Sequence, residues 1–174
     1  MTKTLHCFSA FLLAMLISYG GYGQVSLGAS PYVEQFNNIS GGLPTGFSVV
    51  SGSSATALGN PATYNSAVTN WNSTTGRFAN YASATGLASN TTTTVQSATT
   101  NRALGLRQTA ALGDPGGAFV FQIANTSNRS AFKLSFLLQS LDVSSPRKTI
   151  WSVDYGIGAA PSSFIPVTTN PAYV

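Results

Sequence analysis

The fold is decided by residues 101–157 and their borders, which contain NRALGLRQT (101–109), AFVFQIANT (118–126), AFKLSFLLQSLDV (131–143) and KTIWSVDYGIG (148–158). Apolar side chains recur at every second position in these stretches, and Gly, Pro, Asp, Asn and Ser separate them. A period of two that is bounded by turn-forming residues is typical of half-buried antiparallel strands. The region therefore predicts an all-β protein, an antiparallel β-sandwich.

Seven strands are predicted in all. Two short ones precede the central region, at residues 32–36 (YVEQF) and 47–50 (FSVV), and the last covers residues 164–168. Clusters of Asn, Gly and Pro between the first two strands indicate turns. Trp151 alternates with other apolar residues of its strand, which predicts a place in the core.

Two irregularities lie inside the central region. The apolar positions of residues 131–143 change from even to odd numbers after Leu138, which predicts a β-bulge or corner near Gln139 and Ser140. The GDPGG stretch at residues 113–117 is rich in glycine, but it lacks the Lys and the Ser or Thr of a phosphate-binding loop. It is predicted to be a turn between two strands.

The first 23 residues have the pattern of a secretory signal peptide. Lys3 precedes an apolar run at residues 8–17, and Gly21 and Gly23 provide the small side chains before a cleavage site. The run is about half of the roughly 20 residues that a membrane-spanning helix needs. We predict a signal-peptide helix over residues 1–23, an exported domain over residues 24–174, and no stable membrane span after cleavage.

Cleavage would change the composition of the chain. Residues 24–174 contain neither cysteine nor histidine, and their seven basic and four acidic residues give a net charge of +3. With about 150 residues and no disulfide, the domain depends on its hydrophobic core. The basic residues are scattered rather than clustered, so nucleic-acid binding is not predicted.

Residues 51–100 contain a single charged residue, Arg77, and are dominated by Ser, Thr, Asn, Ala and Gly. No helical period is sustained there, yet large aromatic side chains recur, which a free linker would not carry. We predict a long, partly ordered excursion packed over one side of the sandwich. Such loops often bind ligands. The alternative, which the size of the aromatic side chains favours, is that they only anchor the loop to the sandwich.

Three motifs together resemble a known group of modules: LPTGF (43–47), NRALG (101–105) and TIWSVDY (149–155). They are similar to the N-terminal jelly-roll modules of large surface proteins that Gram-negative gliding-type bacteria export by the type IX route, and to cleaved-adhesin and carbohydrate-binding modules. The resemblance implies a jelly-roll sandwich at the outer cell surface, a role in adhesion, and partners among extracellular glycans or other surface components. Because such modules continue with further strands and a sorting tail, it also implies a C-terminally incomplete domain.

Catalysis is not predicted. The absence of histidine and cysteine from residues 24–174 excludes Ser-His-Asp and Cys-His catalysis there, and zinc sites that depend on those ligands. The four carboxylates, Glu34, Asp114, Asp142 and Asp154, are expected at the surface. Jelly-roll modules often hold a structural calcium ion, and the resemblance implies that Glu34 would be its first-strand ligand in a full-length protein. No other cofactor is expected.

The predicted ligand surface lies in the uncharged segment. Aromatic rings beside amides and a guanidinium suit a sugar, and the predicted glycan-contacting residues are Trp71, Asn72, Arg77, Asn80 and Tyr81. Arg102 and Arg107 are five apart on one predicted strand, so they face opposite sides and form no joint anion clamp. Two functions remain open: a non-catalytic extracellular binding or adhesion module, or an accessory or structural domain of a larger secreted hydrolase or nuclease.

Overall fold

The computed structural model describes residues 23–109, 116–141 and 149–168. The predicted signal peptide lies outside these residues except for Gly23, and so do Asp114 and Asp142. Among the described residues, the regular secondary structure is mainly strands in antiparallel and mixed sheets, which confirms the all-β class. In chain order, the strands are β1 (Phe47–Ser51), β2 (Asn60–Pro61), β3 (Tyr64–Thr69), β4 (Arg77–Ala82), β5 (Arg102–Arg107), β6 (Ala118–Phe121), β7 (Asp154–Tyr155) and β8 (Ile165–Pro166).

Strand β1 is the centre of the first sheet and pairs antiparallel with β2 and β6. Phe47 lies opposite Phe121 and Val49 opposite Phe119, so the large side chains of both strands share one face. Val25 lengthens this sheet through an isolated parallel bridge to Ile123. The first sheet thus collects aromatic side chains on a single face.

Strand β4 is the centre of the second sheet. It runs parallel to β3, with an irregular register between Asn65 and Val68, and antiparallel to β5 over six residue pairs. Each residue of β4 after Arg77 is buried, so both faces of this strand are covered. The Phe78 ring meets the edge of the Phe119 ring, with ring centroids 5.6 Å apart, and this contact joins the two sheets.

Residues 51–100, predicted to be a long, partly ordered excursion packed over one side of the sandwich, contribute the central strand of a sheet instead. This segment contains β2, β3 and β4, and its residues Phe78, Ala79 and Ala82 are completely buried. It also contains a helix, α1 (Thr93–Ala98), where none was predicted, with the Thr92 hydroxyl accepting a hydrogen bond from the Val95 N–H. The small side chains of β4 suit a central strand, because they allow neighbouring elements to pack closely against both of its faces.

The strand predicted within residues 131–143 is also wrong. Residues 131–140 form no strand, and Leu137 is 84% exposed. Alternating apolar residues favour a strand only where a neighbouring strand completes the hydrogen-bond ladder, and none of the described strands does so. The predicted bulge at Gln139 is therefore absent; instead, its amide accepts from the Ala84 N–H at 2.9 Å and donates to the Thr85 hydroxyl at 2.9 Å.

Three shorter predictions need correction. Residues 32–36 form no strand. The last two predicted strands are each reduced to two residues, which form the antiparallel pair of β7 and β8. Trp151, predicted to lie in the core, is 37% exposed and stacks on Phe119 with ring centroids 5.6 Å apart. Within the described ranges, no helix is long and apolar enough to cross a membrane.

Candidate functional site

Trp71, the first of the predicted glycan-contacting residues, is not exposed. Its side chain is 7% exposed and belongs to a buried cluster with Ala79, Tyr81 and Ala82. The indole N–H donates to the Ala82 carbonyl oxygen at 2.8 Å, and the Trp71 backbone N–H donates to the Gln96 side chain at 2.9 Å. In this conformation the ring anchors the chain to the second sheet and presents no face to solvent.

Asn80 is likewise buried, and its side chain has a structural partner. The Asn80 Oδ1 atom accepts from Arg102 Nε at 2.7 Å, and its amide donates to the Ser66 carbonyl oxygen at 3.0 Å. Arg102 is 6% exposed, and its terminal nitrogens donate to the carbonyl oxygens of Asn80, Gln96 and Thr99 at 3.0, 2.9 and 3.4 Å. These bonds replace water around a buried guanidinium, and they connect β4, β5 and the end of α1.

The five predicted glycan-contacting residues are thus divided between surface and interior. Asn72 is exposed and Arg77 is half-buried, whereas Trp71, Asn80 and Tyr81 are buried. The structure does not gather the five into one exposed surface. Ligand contact by this set remains a prediction that its placement does not favour.

Glu34 holds the backbone of its own segment. Its Oε1 atom accepts from the Phe36 N–H at 2.6 Å, and its Oε2 atom accepts from the Tyr32 hydroxyl at 3.4 Å. Phe36 has a φ of 59°, a left-handed conformation that is unusual for a bulky aromatic residue. The carboxylate therefore stabilises a strained turn. No group of three or more potential metal-ligating side chains occurs among the residues that the structure describes.

That turn places Phe36 and Tyr32 on the aromatic face of the first sheet. Tyr32 stacks on Phe121 with ring centroids 5.3 Å apart, and Phe121 stacks on Phe47 at 4.8 Å. Phe36 meets the Phe47 ring edge-on at 5.0 Å. We call Tyr32, Phe36, Phe47 and Phe121 the aromatic strip. Tyr32 is its open end, with 39% of its surface exposed.

The Tyr32 hydroxyl is a hydrogen-bond donor at neutral pH. Burial raises the pKa of Tyr32, and the charge of Glu34 and the hydrogen bond to it raise it further. The Glu34 carboxylate still has unused acceptor capacity on both oxygens. The end of the strip therefore combines a ring face, a hydroxyl and a carboxylate within one short turn.

An open cleft of about 410 Å³ adjoins the strip at Phe47. Its wall is the LPTGF motif, which forms a turn in which the Phe47 N–H donates to the Pro44 carbonyl oxygen at 3.0 Å. Gly46 has a φ of +86°, and a Cβ atom there would approach Val25 Cγ2 to 2.6 Å, so glycine is needed in this turn. The lining residues are Gly23, Leu43, Pro44, Thr45, Gly46, Phe47 and Tyr64.

Tyr64 also lines this cleft. Its hydroxyl donates to the Ile39 carbonyl oxygen at 3.0 Å. Burial raises the pKa of Tyr64 to about 12, although the charge of Arg102 acts in the opposite direction. The phenol is therefore neutral at physiological pH and can still accept a hydrogen bond from a ligand.

Comparison with known proteins gives no further assignment. The sequence matches no protein-family profile and no curated protein, and no solved structure resembles it significantly. The function must therefore be argued from the chain itself. Sequence reasoning missed the aromatic strip because residues 32–36 were interpreted as a strand; the available signal was a pair of aromatic residues on either side of Glu34.

Proposed function

We propose that this chain is a non-catalytic extracellular binding module whose aromatic strip and adjoining cleft contact glycans. The observation that carries the proposal is the partly exposed Tyr32 ring beside the Glu34 carboxylate, at the end of a stacked aromatic row. Sugars present apolar C–H faces to aromatic rings and hydroxyl groups to carboxylates. Ligand sites generally pair aromatic walls with a few polar groups in this way.

Two paired strands support the strip. Phe47 and Phe121 are directly opposed on paired strands, and their rings stack at 4.8 Å. Tyr32 and Phe36 are in turn positioned by Glu34, through hydrogen bonds to a hydroxyl and a backbone N–H. A site that is already ordered loses little conformational entropy when a ligand binds.

We also propose that the module is exported and displayed at the outer cell surface. The support is the pattern of Lys3, the apolar run at residues 8–17 and the small residues Gly21 and Gly23. A jelly-roll sandwich of the type found in adhesion modules is the finer fold that we propose for the sheets. Intact-mass analysis of the exported protein tests the first part: loss of residues 1–23 is expected, and retention of the apolar run in a membrane fraction would contradict it.

A glycan array tests the binding function. The full chain should bind a defined subset of glycans, and a Tyr32→Ala variant with an unchanged circular dichroism spectrum should lose that signal. Binding to no glycan would contradict the proposed function and leave the accessory or structural role. Equal binding by the folded Tyr32→Ala variant would show that the strip is not the site.

A further inference from the structure

The open end of the aromatic strip carries a negative charge that is bonded only to neutral groups. Glu34 is half-buried, and its described partners are the Phe36 N–H and the Tyr32 hydroxyl. No lysine or arginine side chain among the described residues forms an ion pair with it. A carboxylate that is partly removed from water attracts a cation more strongly than a fully solvated one, because the effective dielectric constant around it is lower.

The cleft beside the strip adds no charge of its own. All of its lining residues are uncharged, so Glu34 is the charged side chain nearest to the exposed Tyr32 ring, and its charge raises the pKa of Tyr32. Arg102 acts on the pKa of Tyr64 in the cleft wall, but its guanidinium is 6% exposed and bonded to carbonyl oxygens inside the second sheet. A ligand at the strip therefore meets a negative charge and no exposed positive one.

The Tyr32 ring determines where a ligand can lie. One of its faces is covered by Phe121, whose ring stacks on it with an interplanar angle of 27°. The exposed part of Tyr32, 39% of its surface, therefore belongs to the opposite face and the edge. The hydroxyl at that edge bonds to Glu34 Oε2, which places the carboxylate at the rim of the ring. A sugar stacked on the open face would bring a ring substituent to this carboxylate.

Glu34 can bond such a substituent and still stabilise its own turn. Its Oε1 atom accepts the short bond of 2.6 Å from the Phe36 N–H. Its Oε2 atom accepts from the Tyr32 hydroxyl at 3.4 Å, which is a long and weak hydrogen bond. Each oxygen of an ionised carboxylate can accept about two hydrogen bonds. Oε2 is therefore able to accept a short bond from a charged donor, the stronger kind.

We propose that the aromatic strip prefers sugars that carry a primary ammonium group, with the Tyr32 ring stacked on the sugar and Glu34 bonded to the ammonium. This inference rests on the proposed glycan-binding function and specifies its ligand as a 2-amino-2-deoxy sugar. An ammonium group has three donors and no acceptor, and the face of a tyrosine ring also attracts it. N-acetylation removes the charge and leaves one donor, whereas a carboxylate on the sugar would be repelled.

Calorimetric titration of the full chain with a matched pair of oligosaccharides tests this preference. The probes are a β-linked glucosamine oligomer and the N-acetylglucosamine oligomer of the same length, at a pH where the free amines are protonated. We expect the glucosamine oligomer to bind about tenfold more tightly or better, a difference typical of a charge-assisted hydrogen bond. The preference should shrink as sodium chloride is added, since Glu34 is partly exposed and salt screens its charge.

The Glu34→Gln variant shows whether this carboxylate causes the preference. Glutamine keeps an oxygen for the Phe36 N–H, so the variant should fold, lose the preference and bind the N-acetylated oligomer within about threefold of the wild type. Asp154→Asn is the matched control, because it removes the same charge from β7, where Asp154 accepts from the Ser152 hydroxyl. This control variant should keep the preference.

Two results would overturn the inference. One is binding of neither oligomer, or binding of the N-acetylated oligomer as tightly as the glucosamine oligomer. The other is an unchanged preference in a folded Glu34→Gln variant. If the array still shows a glycan whose binding is lost in Tyr32→Ala, only the ammonium preference is wrong and the proposed function stands. Binding to no glycan at all would remove both.

Discussion

Arg102 Nε donates to Asn80 Oδ1 at 2.7 Å inside the second sheet, and this bond joins a predicted strand to the segment that was predicted to be a long excursion. The Asn80 backbone carbonyl accepts a second bond from the same guanidinium at 3.0 Å. Burial lowers the pKa of Arg102, and the neighbouring Tyr64 opposes that change. Arginine nevertheless keeps its charge at neutral pH, so Asn80 is a principal solvent substitute for a buried cation.

Replacement of Asn80 tests this relationship. Asn80→Ala removes an acceptor from the buried guanidinium and should lower the free energy of unfolding by about 2–3 kcal/mol. Asn72→Ala is the matched control because Asn72 is exposed, and its effect should stay within about 0.5 kcal/mol. Urea denaturation with a common m value measures both. Equal stability of the two variants would show that the contact contributes little.

Tyr64 should make the protein sensitive to alkali. Its pKa in the folded protein is raised to about 12, whereas an unfolded tyrosine titrates near 10. The folded state therefore binds the proton more tightly, and its contribution to stability is complete below pH 10 and is lost as pH rises through about 12.

The Tyr64→Phe variant isolates this effect. It should be less stable below pH 10, by roughly 1 kcal/mol for the lost hydrogen bond to Ile39. Between pH 10 and 12 its stability should fall less steeply than that of the wild type. Denaturation midpoints at half-unit pH intervals provide the measurement. Parallel curves for the two proteins would contradict the assignment of the shift to Tyr64.

Gly105 is predicted to be irreplaceable for a packing reason. A Cβ atom at Gly105 would lie 2.4 Å from Tyr81 Cδ2, so Gly105→Ala must displace a buried ring and should cost about 1–3 kcal/mol. Strand propensity alone predicts the opposite sign, since alanine loses less entropy than glycine. Gly41→Ala, where a Cβ atom meets nothing within 4 Å, is the control. A Gly105→Ala variant as stable as the wild type in thermal melting would contradict the packing.

Residues 132–138 should promote self-association. Leu134 and Leu137 are 64% and 84% exposed, within a run of exposed apolar residues that is an aggregation liability. We expect Leu134→Lys and Leu137→Lys to reduce concentration-dependent light scattering. Ser135→Lys adds the same charge without removing an apolar side chain, so it separates the two causes. Equal scattering by wild type and both leucine variants would contradict this account.

The sequence predicted the strands that are strongly periodic and have a partner. Strands β1, β5 and β6 fall where alternation predicted them, because their apolar faces meet another apolar face. Residues 131–138 show the same alternation and yet form no strand, since pairing depends on a partner that local sequence does not specify. Strand β4 shows the reverse: it forms a strand although none was predicted there. Its sequence RFANYA does not alternate between apolar and polar residues because both of its faces are buried.

The candidate site was harder to predict for a related reason. Trp71 and Tyr81 stand among uncharged polar residues, a composition that suits an exposed loop as well as a covered strand. Only their tertiary contacts, such as the bond from the Trp71 indole to the Ala82 carbonyl oxygen, place them inside. The aromatic strip depends on the left-handed backbone of Phe36, which no propensity of phenylalanine predicts.

The most direct test of the central claim is a calorimetric titration of the full chain with the strongest glycan from the array. Tyr32→Ala should weaken binding about tenfold or more, because an aromatic anchor at a binding surface is commonly worth over 1 kcal/mol. Val33→Ala, one residue away and 72% exposed, should bind as the wild type does. Equal affinities of the wild type and a folded Tyr32→Ala variant would contradict the assignment of glycan binding to the aromatic strip.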